Sequence, residues 1–331
     1  MSKTVVLVML KSEDEDAPKF REAIESDPDL RERVELRFAT GDAAKEAAVD
    51  AEVVVCGSIP PETLAATAHL RWIAYWSAGL DGKLSPAILE RNLFLTNASG
   101  VHGPNIAEHV LMFMLMFTRR MEFHLRSQIA GVWNRDPAER RFGADELAGQ
   151  TLGIVGLGRI GEALTARAKA FEMRVIATKR NPKARYEASI VPDALYSPED
   201  LPRLLAEADH ICIAVPYSPE THHLINAEML GHIRPSAYLY NIARGKVIDE
   251  AALIAALQSS RIAGAGLDVF EQEPLPADSP LWQMENVLIT PHVSGITPHY
   301  FARFARLFAA NLKRYLNQQP LQNLYDPTRG Y

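Results

Sequence analysis

An arginine, a glutamate and a histidine each stand just beyond an apolar, strand-like run in the second half of the chain. Arg244 follows Tyr238 to Ala243, Glu273 follows Gly266 to Phe270, and His292 follows Val287 to Pro291. Open α/β sheets bind ligands outside the carboxyl ends of their strands, so three such residues can converge on one crevice. A guanidinium there offers a planar fork of donors to a carboxylate and a neighbouring carbonyl oxygen. An imidazolium can give that oxygen a proton, and the neutral ring can take a hydroxyl proton in the reverse direction. A carboxylate beside the ring holds it and favours its charged form. Together the three suit reduction of a 2-keto acid, provided hydride is supplied.

The supply has its own signature. Thr151 to Val155 reads as a buried strand and runs straight into Gly156-Leu157-Gly158-Arg159-Ile160-Gly161, a G-x-G-x-x-G turn. Gly156 allows the tight turn, Gly158 lets the backbone approach a pyrophosphate, and Gly161 lets the next helix pack closely on the sheet. The free N–H groups where that helix begins, around Arg159 and Ile160, face the phosphates. A second strand, Arg174 to Thr178, ends at Lys179-Arg180, where an NAD enzyme would carry an acid for its ribose hydroxyls. Cations there attract a 2'-phosphate, so the expected cofactor is NADP (NADPH when reduced), with NAD a weaker alternative. Pro216, Ser218 and Thr221, in the loop after Ile211 to Val215, are expected along the adenosine and phosphates. Thr178, Ile242, Ala243 and His292 complete the expected cofactor contacts.

Elements that could position these residues alternate along the whole chain. Strand-like runs occur at Val5 to Met9, Val34 to Phe38, Val53 to Cys56, Trp72 to Trp76 and Leu93 to Thr96. A second series comprises Leu152 to Val155, Val175 to Thr178, Ile211 to Val215, Tyr238 to Ile242, Ala263 to Val269 and Val287 to Ile289. Polar and alanine-rich stretches such as Phe20 to Ile24 and Ala43 to Val49 lie between them, which argues for parallel sheets flanked by helices. Asn105 to Arg119 contains neither glycine nor proline and reads as a helix joining the two series. Thr297 to Leu316 reads as a late helix with Thr297 as N-cap and Pro298 in the first turn. It comes too late to serve the second sheet and should return to the first. The expected architecture is α/β: two doubly wound parallel-sheet domains with a cleft between, a Rossmann-type cofactor domain over 101–295 and a smaller, discontinuous, flavodoxin-like substrate domain over 1–100 and 296–331. Pro182 to Asp200 and Glu273 to Pro280 read as proline-bearing loops.

Composition narrows the functional classes. The 331 residues suffice for two cores, and 47% hydrophobic with 23% charged residues is ordinary for a globular chain. A net charge of −6 leaves no basic excess to neutralise phosphates, so nucleic acid is not an expected partner. The apolar stretches at the start and at Val110 to Phe117 are too short for a signal sequence or a membrane span, so no membrane association is expected. Two cysteines, Cys56 and Cys212, lie within apolar runs and read as buried reduced thiols, which suits a cytoplasmic location. No spacing suggests a metal site.

The chain resembles the D-isomer-specific 2-hydroxyacid dehydrogenase family over essentially its whole length. The matching segments are Gly156 to Gly161, Asn241 to Gly245, Leu267 to Pro276, and Pro291-His292. The resemblance implies that Arg244, Glu273 and His292 are catalytic and that Asp268 lies near the nicotinamide amide. It also implies that the backbone of Ser77-Ala78-Gly79 binds the substrate carboxylate, and that the protein is a homodimer with Arg119 to Phe142 as its arm. Val293-Ser294 after the histidine and the bulky Tyr75-Trp76 before the carboxylate loop depart from the usual pattern and leave substrate size open. His102 and His299 fall in segments expected to border the cleft. His210, His222, His223 and His232 read as surface or satisfied loop residues. The expected reaction is hydride transfer between NADP(H) and a small 2-keto acid or D-2-hydroxy acid such as glyoxylate or hydroxypyruvate. Phosphite oxidation uses the same trio in relatives, and a nucleotide-sensing corepressor shares the fold. Formate oxidation fits less well, because that relative lacks the glutamate.

Overall fold

Five short apolar runs build the first sheet of the computed structural model, which describes residues 3–80, 82–134, 145–181 and 190–326. They are β1 (Thr4–Val8), β2 (Val34–Phe38), β3 (Val53–Cys56), β4 (Trp72–Tyr75) and β5 (Phe94–Thr96), all parallel, in the order β2-β1-β3-β4-β5. This is the flavodoxin-like order. Every residue of β3 and β4 is buried, as expected for strands covered by helices on both faces. The helix Tyr300–Leu316 seats Phe304, Phe308 and Leu312, spaced by four residues, in the same core as Phe20 and Trp72. Trp72 lies 5.3 Å from the Phe308 ring and donates its indole N–H to Thr96 Oγ1 at 2.9 Å. This helix starts later than its sequence suggests. Thr297 is not its N-cap; its hydroxyl accepts the His299 N–H at 3.3 Å within a preceding turn, which also holds Pro298.

The second sheet has seven parallel strands: β6 (Thr151–Val155), β7 (Arg174–Thr178), β8 (Ala194–Tyr196), β9 (His210–Ile213), β10 (Tyr238–Asn241), β11 (Gly264–Leu267) and β12 (Val287–Ile289). Their order is β12-β11-β10-β9-β6-β7-β8. Strand order therefore reverses between β6 and β9, the switch point at which doubly wound sheets bind ligands. β8 was not legible as a strand. It is three residues long, lies at the sheet edge within a proline-bearing stretch, and among the described residues pairs with β7 alone. The helix Gly103–Thr118 begins two residues before the expected Asn105, with Pro104 tolerated in its first turn. Arg120, at φ 57°, breaks the path, and a further helix, Met121–Ile129, has no buried residue.

Contacts divide the chain into two units, Met1–Val101 with Thr297–Tyr331, and His102–Ile296. Cys56 and Cys212 are both buried and unbridged, and burial pushes each thiol up to about 12. His210 is neither a surface nor a loop residue. It lies within β9, between Tyr240 Oη at 2.8 Å and Gln150 Oε1 at 2.6 Å, and burial pulls its ring down to about 4. Among the described residues no helix is long and apolar enough to cross a membrane.

Candidate active site

His292 sits at the end of β12 in a conformation that few non-glycine residues adopt, with φ at 54°. Its neighbours enforce this. The His292 N–H donates to the Asp268 carbonyl at 2.8 Å, while the next two amides, of Val293 and Ser294, donate to Asp268 Oδ1 and Oδ2 at 2.9 and 3.0 Å. The imidazole Nδ1 then lies 2.7 Å from Glu273 Oε2, and Glu273 Oε1 accepts the Phe270 N–H at 3.1 Å. A carboxylate only accepts, so Nδ1 carries the shared proton and Nε2 is the nitrogen left to exchange one. The two side chains are 49% and 36% exposed, open enough for a ligand to reach them.

Arg244 is exposed at the end of β10, on a turn organised by a residue the sequence reading did not single out. Asn241, almost fully buried, donates to the Arg244 carbonyl at 3.0 Å and accepts the Ala243 N–H at 3.1 Å. The arginine's own Nη1 donates to the Ala243 carbonyl at 2.8 Å. Gly245 then presses this turn against the Phe270–Glu271 backbone, where an added Cβ would lie 1.8 Å from the Phe270 carbonyl carbon. The arginine turn and the glutamate loop thus meet backbone to backbone.

The glycine turn has the geometry a dinucleotide needs. Gly156 has φ 98°, donates its N–H to Thr178 Oγ1 at 3.0 Å, and approaches Val215 so closely that a Cβ would meet Cγ1 at 2.6 Å. Around Gly158 an added Cβ would meet no protein atom within 4 Å, which leaves the backbone approachable where the helix Arg159–Ala170 begins. Gly161 packs 3.2 Å, measured from an ideal Cβ, from the Gly156 carbonyl oxygen. Ile160 is half-buried and Ile242 buried. Lys179 is half-buried beyond β7, its N–H bonded to the Tyr196 carbonyl at 2.9 Å, and Arg180 is exposed beside it. Glu220, held below its ordinary value by Ser218 and, more weakly, by Arg180, shares that neighbourhood. The Thr221 hydroxyl ties its own loop together, donating to the Pro216 carbonyl at 2.8 Å and accepting the Ser218 N–H at 2.7 Å.

The Asp268 side chain is 0% exposed and its carboxylate is engaged by Thr290, Val293 and Ser294, so it holds the His292 segment. His102 Nδ1 lies 3.0 Å from the Gly295 carbonyl oxygen, and exposed His299 stands at the N-cap position of the last helix. In the first unit, Ser77-Ala78-Gly79 follows β4 and is half-buried. The Ser77 carbonyl accepts the Ala98 N–H at 3.0 Å and its hydroxyl accepts from Lys83 Nζ at 2.8 Å. Trp76 leans on Gly57, where a Cβ would meet its Nε1 at 2.6 Å, and its carbonyl accepts from the Tyr300 hydroxyl. The Tyr75 hydroxyl is buried and has no hydrogen-bond partner among the described residues.

Comparison with known proteins follows the same lines. Residues 111–294 match the family model for the D-isomer specific 2-hydroxyacid dehydrogenase, NAD binding domain. The chain is 36% identical over 266 residues to a glyoxylate reductase of Thermofilum pendens, covering 80% of this chain and 78% of that one. It is 38% identical over 272 residues to glyoxylate/hydroxypyruvate reductase B of Yersinia pseudotuberculosis, covering 82% of each. A crystal structure of a D-isomer specific 2-hydroxyacid dehydrogenase from Xanthobacter autotrophicus Py2, in complex with NADPH and MES, aligns over 100% of both chains with TM-score 0.79 and 30% identity.

Proposed function

Because this chain belongs to the D-isomer-specific 2-hydroxyacid dehydrogenase family, we propose that it reduces small 2-keto acids of the glyoxylate and hydroxypyruvate class to 2-hydroxy acids, with NADPH preferred to NADH. The observation that carries the reading is the Glu273–His292 pair, 2.7 Å apart at the carboxyl end of the sheet whose first turn is the glycine fingerprint.

In this reading the unit His102–Ile296 holds the dinucleotide and the other unit supplies substrate contacts. Gly156, Gly158 and Gly161 at the helix start would hold the pyrophosphate, and Lys179 with Arg180 would attract the 2'-phosphate. Bound there, NADPH supplies the hydride that the keto acid accepts at C2. Arg244 draws the substrate carboxylate and carbonyl oxygen into its fork of donors and polarises the carbonyl bond. His292, charged and anchored through Nδ1, gives its Nε2 proton to the developing alkoxide. Glu273 stabilises the imidazolium and fixes its orientation. The backbone amides of Ser77 to Gly79 take the substrate carboxylate. A homodimer is part of the proposal: the unburied helix Met121–Ile129 and exposed Ile129, Val132 and Trp133 support pairing through an arm from Arg119 to Phe142, of which residues 135–142 lie outside those described.

The test is a panel of 2-keto acids assayed with each reduced cofactor, with phosphite and NADP⁺ alongside. Higher kcat/KM with NADPH on glyoxylate or hydroxypyruvate is the expected result. Equal efficiency with NADH, or turnover of phosphite alone, would remove the corresponding part of the proposal.

A further inference from the structure

The segment bearing His292 is fastened from a second side. Along the helix Gly103–Thr118 and its cap, His102, Asn105 and His109 are spaced three and four residues apart and so share one face. Each reaches the same short stretch: His109 Nε2 to Thr290 Oγ1 at 2.9 Å, Asn105 Nδ2 to the Ser294 carbonyl at 2.7 Å, and His102 Nδ1 to the Gly295 carbonyl at 3.0 Å. Thr290 in turn lies 2.6 Å from Asp268 Oδ1, the carboxylate that gathers the Val293 and Ser294 amides.

Proton counting gives this chain a direction. Asp268 accepts through both oxygens, so the Thr290 hydroxyl commits its one hydrogen to Oδ1 and its oxygen must accept from His109. His109 therefore carries its proton on Nε2. Burial, opposed only by Asp268, lowers its proton affinity and keeps the ring neutral near pH 7, with the Phe113 ring edge-on at 4.8 Å. A neutral donor can orient a hydroxyl without placing a second positive charge near His292.

We infer that His109, acting through Thr290 and Asp268, is a positioning residue for the proton donor, locking the left-handed backbone from which His292 reaches Glu273. The inference rests on the assignment of His292 as proton donor. It extends the machinery to a residue 181 positions from Thr290 on a different element. Left-handed backbone at a non-glycine residue persists only where its surroundings over-determine it. Here one helix face and one buried carboxylate do so together.

The experiment compares His109→Leu and Thr290→Val, which remove the link, with His109→Gln and Thr290→Ser, which retain a donor and a hydroxyl. Glyoxylate reduction with NADPH is measured together with the solvent deuterium isotope effect, NADPH dissociation and hydrogen exchange across residues 290–296. The leucine and valine variants are expected to lose about 10- to 100-fold in kcat, as misplacement of a reacting group does. Their solvent isotope effect should rise, NADPH affinity should stay within about twofold, and exchange should accelerate at 290–296, with glutamine and serine restoring most of the loss. The double variant should lose no more than the worse single one. Unchanged kcat and unchanged exchange in Thr290→Val, the milder change, would overturn the inference. So would a loss that follows NADPH affinity and is not relieved by serine. An unmodified protein inactive on every keto acid would sink the proposed function instead, while the exchange measurement would still report on the clamp.

Discussion

Nδ1 of His292 faces Oε2 of Glu273 at 2.7 Å, and this contact decides which end of the ring can do chemistry. Because Phe270 pins the other carboxylate oxygen through its amide, the glutamate cannot turn away without breaking two hydrogen bonds. The ring is thereby presented by Nε2 alone.

Replacing His292 with Ala should abolish turnover while leaving NADPH binding largely intact, since it is one contact among many expected along the dinucleotide. Glu273→Gln keeps an acceptor for Nδ1 but removes the charge that favours imidazolium. Keto acid reduction should then fall by about 10²- to 10⁴-fold, the usual worth of acid–base catalysis. Steady-state rates from pH 6 to 9 with fluorescence titration of NADPH check both. Retained turnover in the alanine variant would take His292 out of the proton-transfer role.

Lys179→Asp should invert the cofactor choice. A charge-assisted hydrogen bond contributes about 1.5–3 kcal/mol, so the ratio of kcat/KM for NADPH over NADH should drop by roughly 10- to 150-fold. A ratio that stays put would mean that the 2'-phosphate is held elsewhere.

Much of this was legible before any coordinates. Val34 to Phe38, Val53 to Cys56 and Val287 to Ile289 are strands with the expected bounds, the first because apolar and charged residues alternate along it and the other two because short continuous apolar runs flanked by polar stretches admit little else. Arg244, Glu273 and His292 were visible because charged and titratable residues just beyond strand ends interrupt such runs. Thr290 and His109 were not, since a lone histidine on an apolar helix face looks like packing and its partner lies 181 residues away. Asn241 was hidden for the opposite reason, as the last residue of a strand whose amide turns back on its own chain. β8 failed on length, and Thr297 failed because a turn precedes the helix it was expected to cap.

Gly245→Ala should impair activity although the residue carries no chemistry. Its Cβ would fall 1.8 Å from the Phe270 carbonyl carbon, and backbone on one side must move. Displacing the Arg244 turn from the Glu273 loop by about an ångström is expected to lower kcat/KM on the order of 10²-fold, with a reduced melting temperature. Near-normal kinetics would show that the two loops need not touch.

His210 makes folding stability depend on pH in a definite direction. Burial lowers its ring from 6.5 in the unfolded chain to about 4 in the fold, so between those values the unfolded state binds more protons. Stability from this residue is complete above about pH 6.5 and is lost as pH falls toward 4, by on the order of 3 kcal/mol. Urea unfolding at pH 7.5 and 5 should show a smaller pH difference for His210→Gln than for the parent. Identical differences would assign the acid sensitivity to other groups.

Because the first sheet is closed by a helix, Tyr300–Leu316, that synthesis reaches about 200 residues after the sheet's last strand, the first unit stays unfinished while the whole of the second is made. The intervening unit is contiguous and can complete itself meanwhile, reversing the usual order in which nascent domains mature. A chain truncated after residue 296 should therefore keep a cooperative unfolding transition from the unit His102–Ile296 while protease cuts within its first 101 residues. The bare seat around Phe20 and Trp72 marks where a chaperone would have to stand guard.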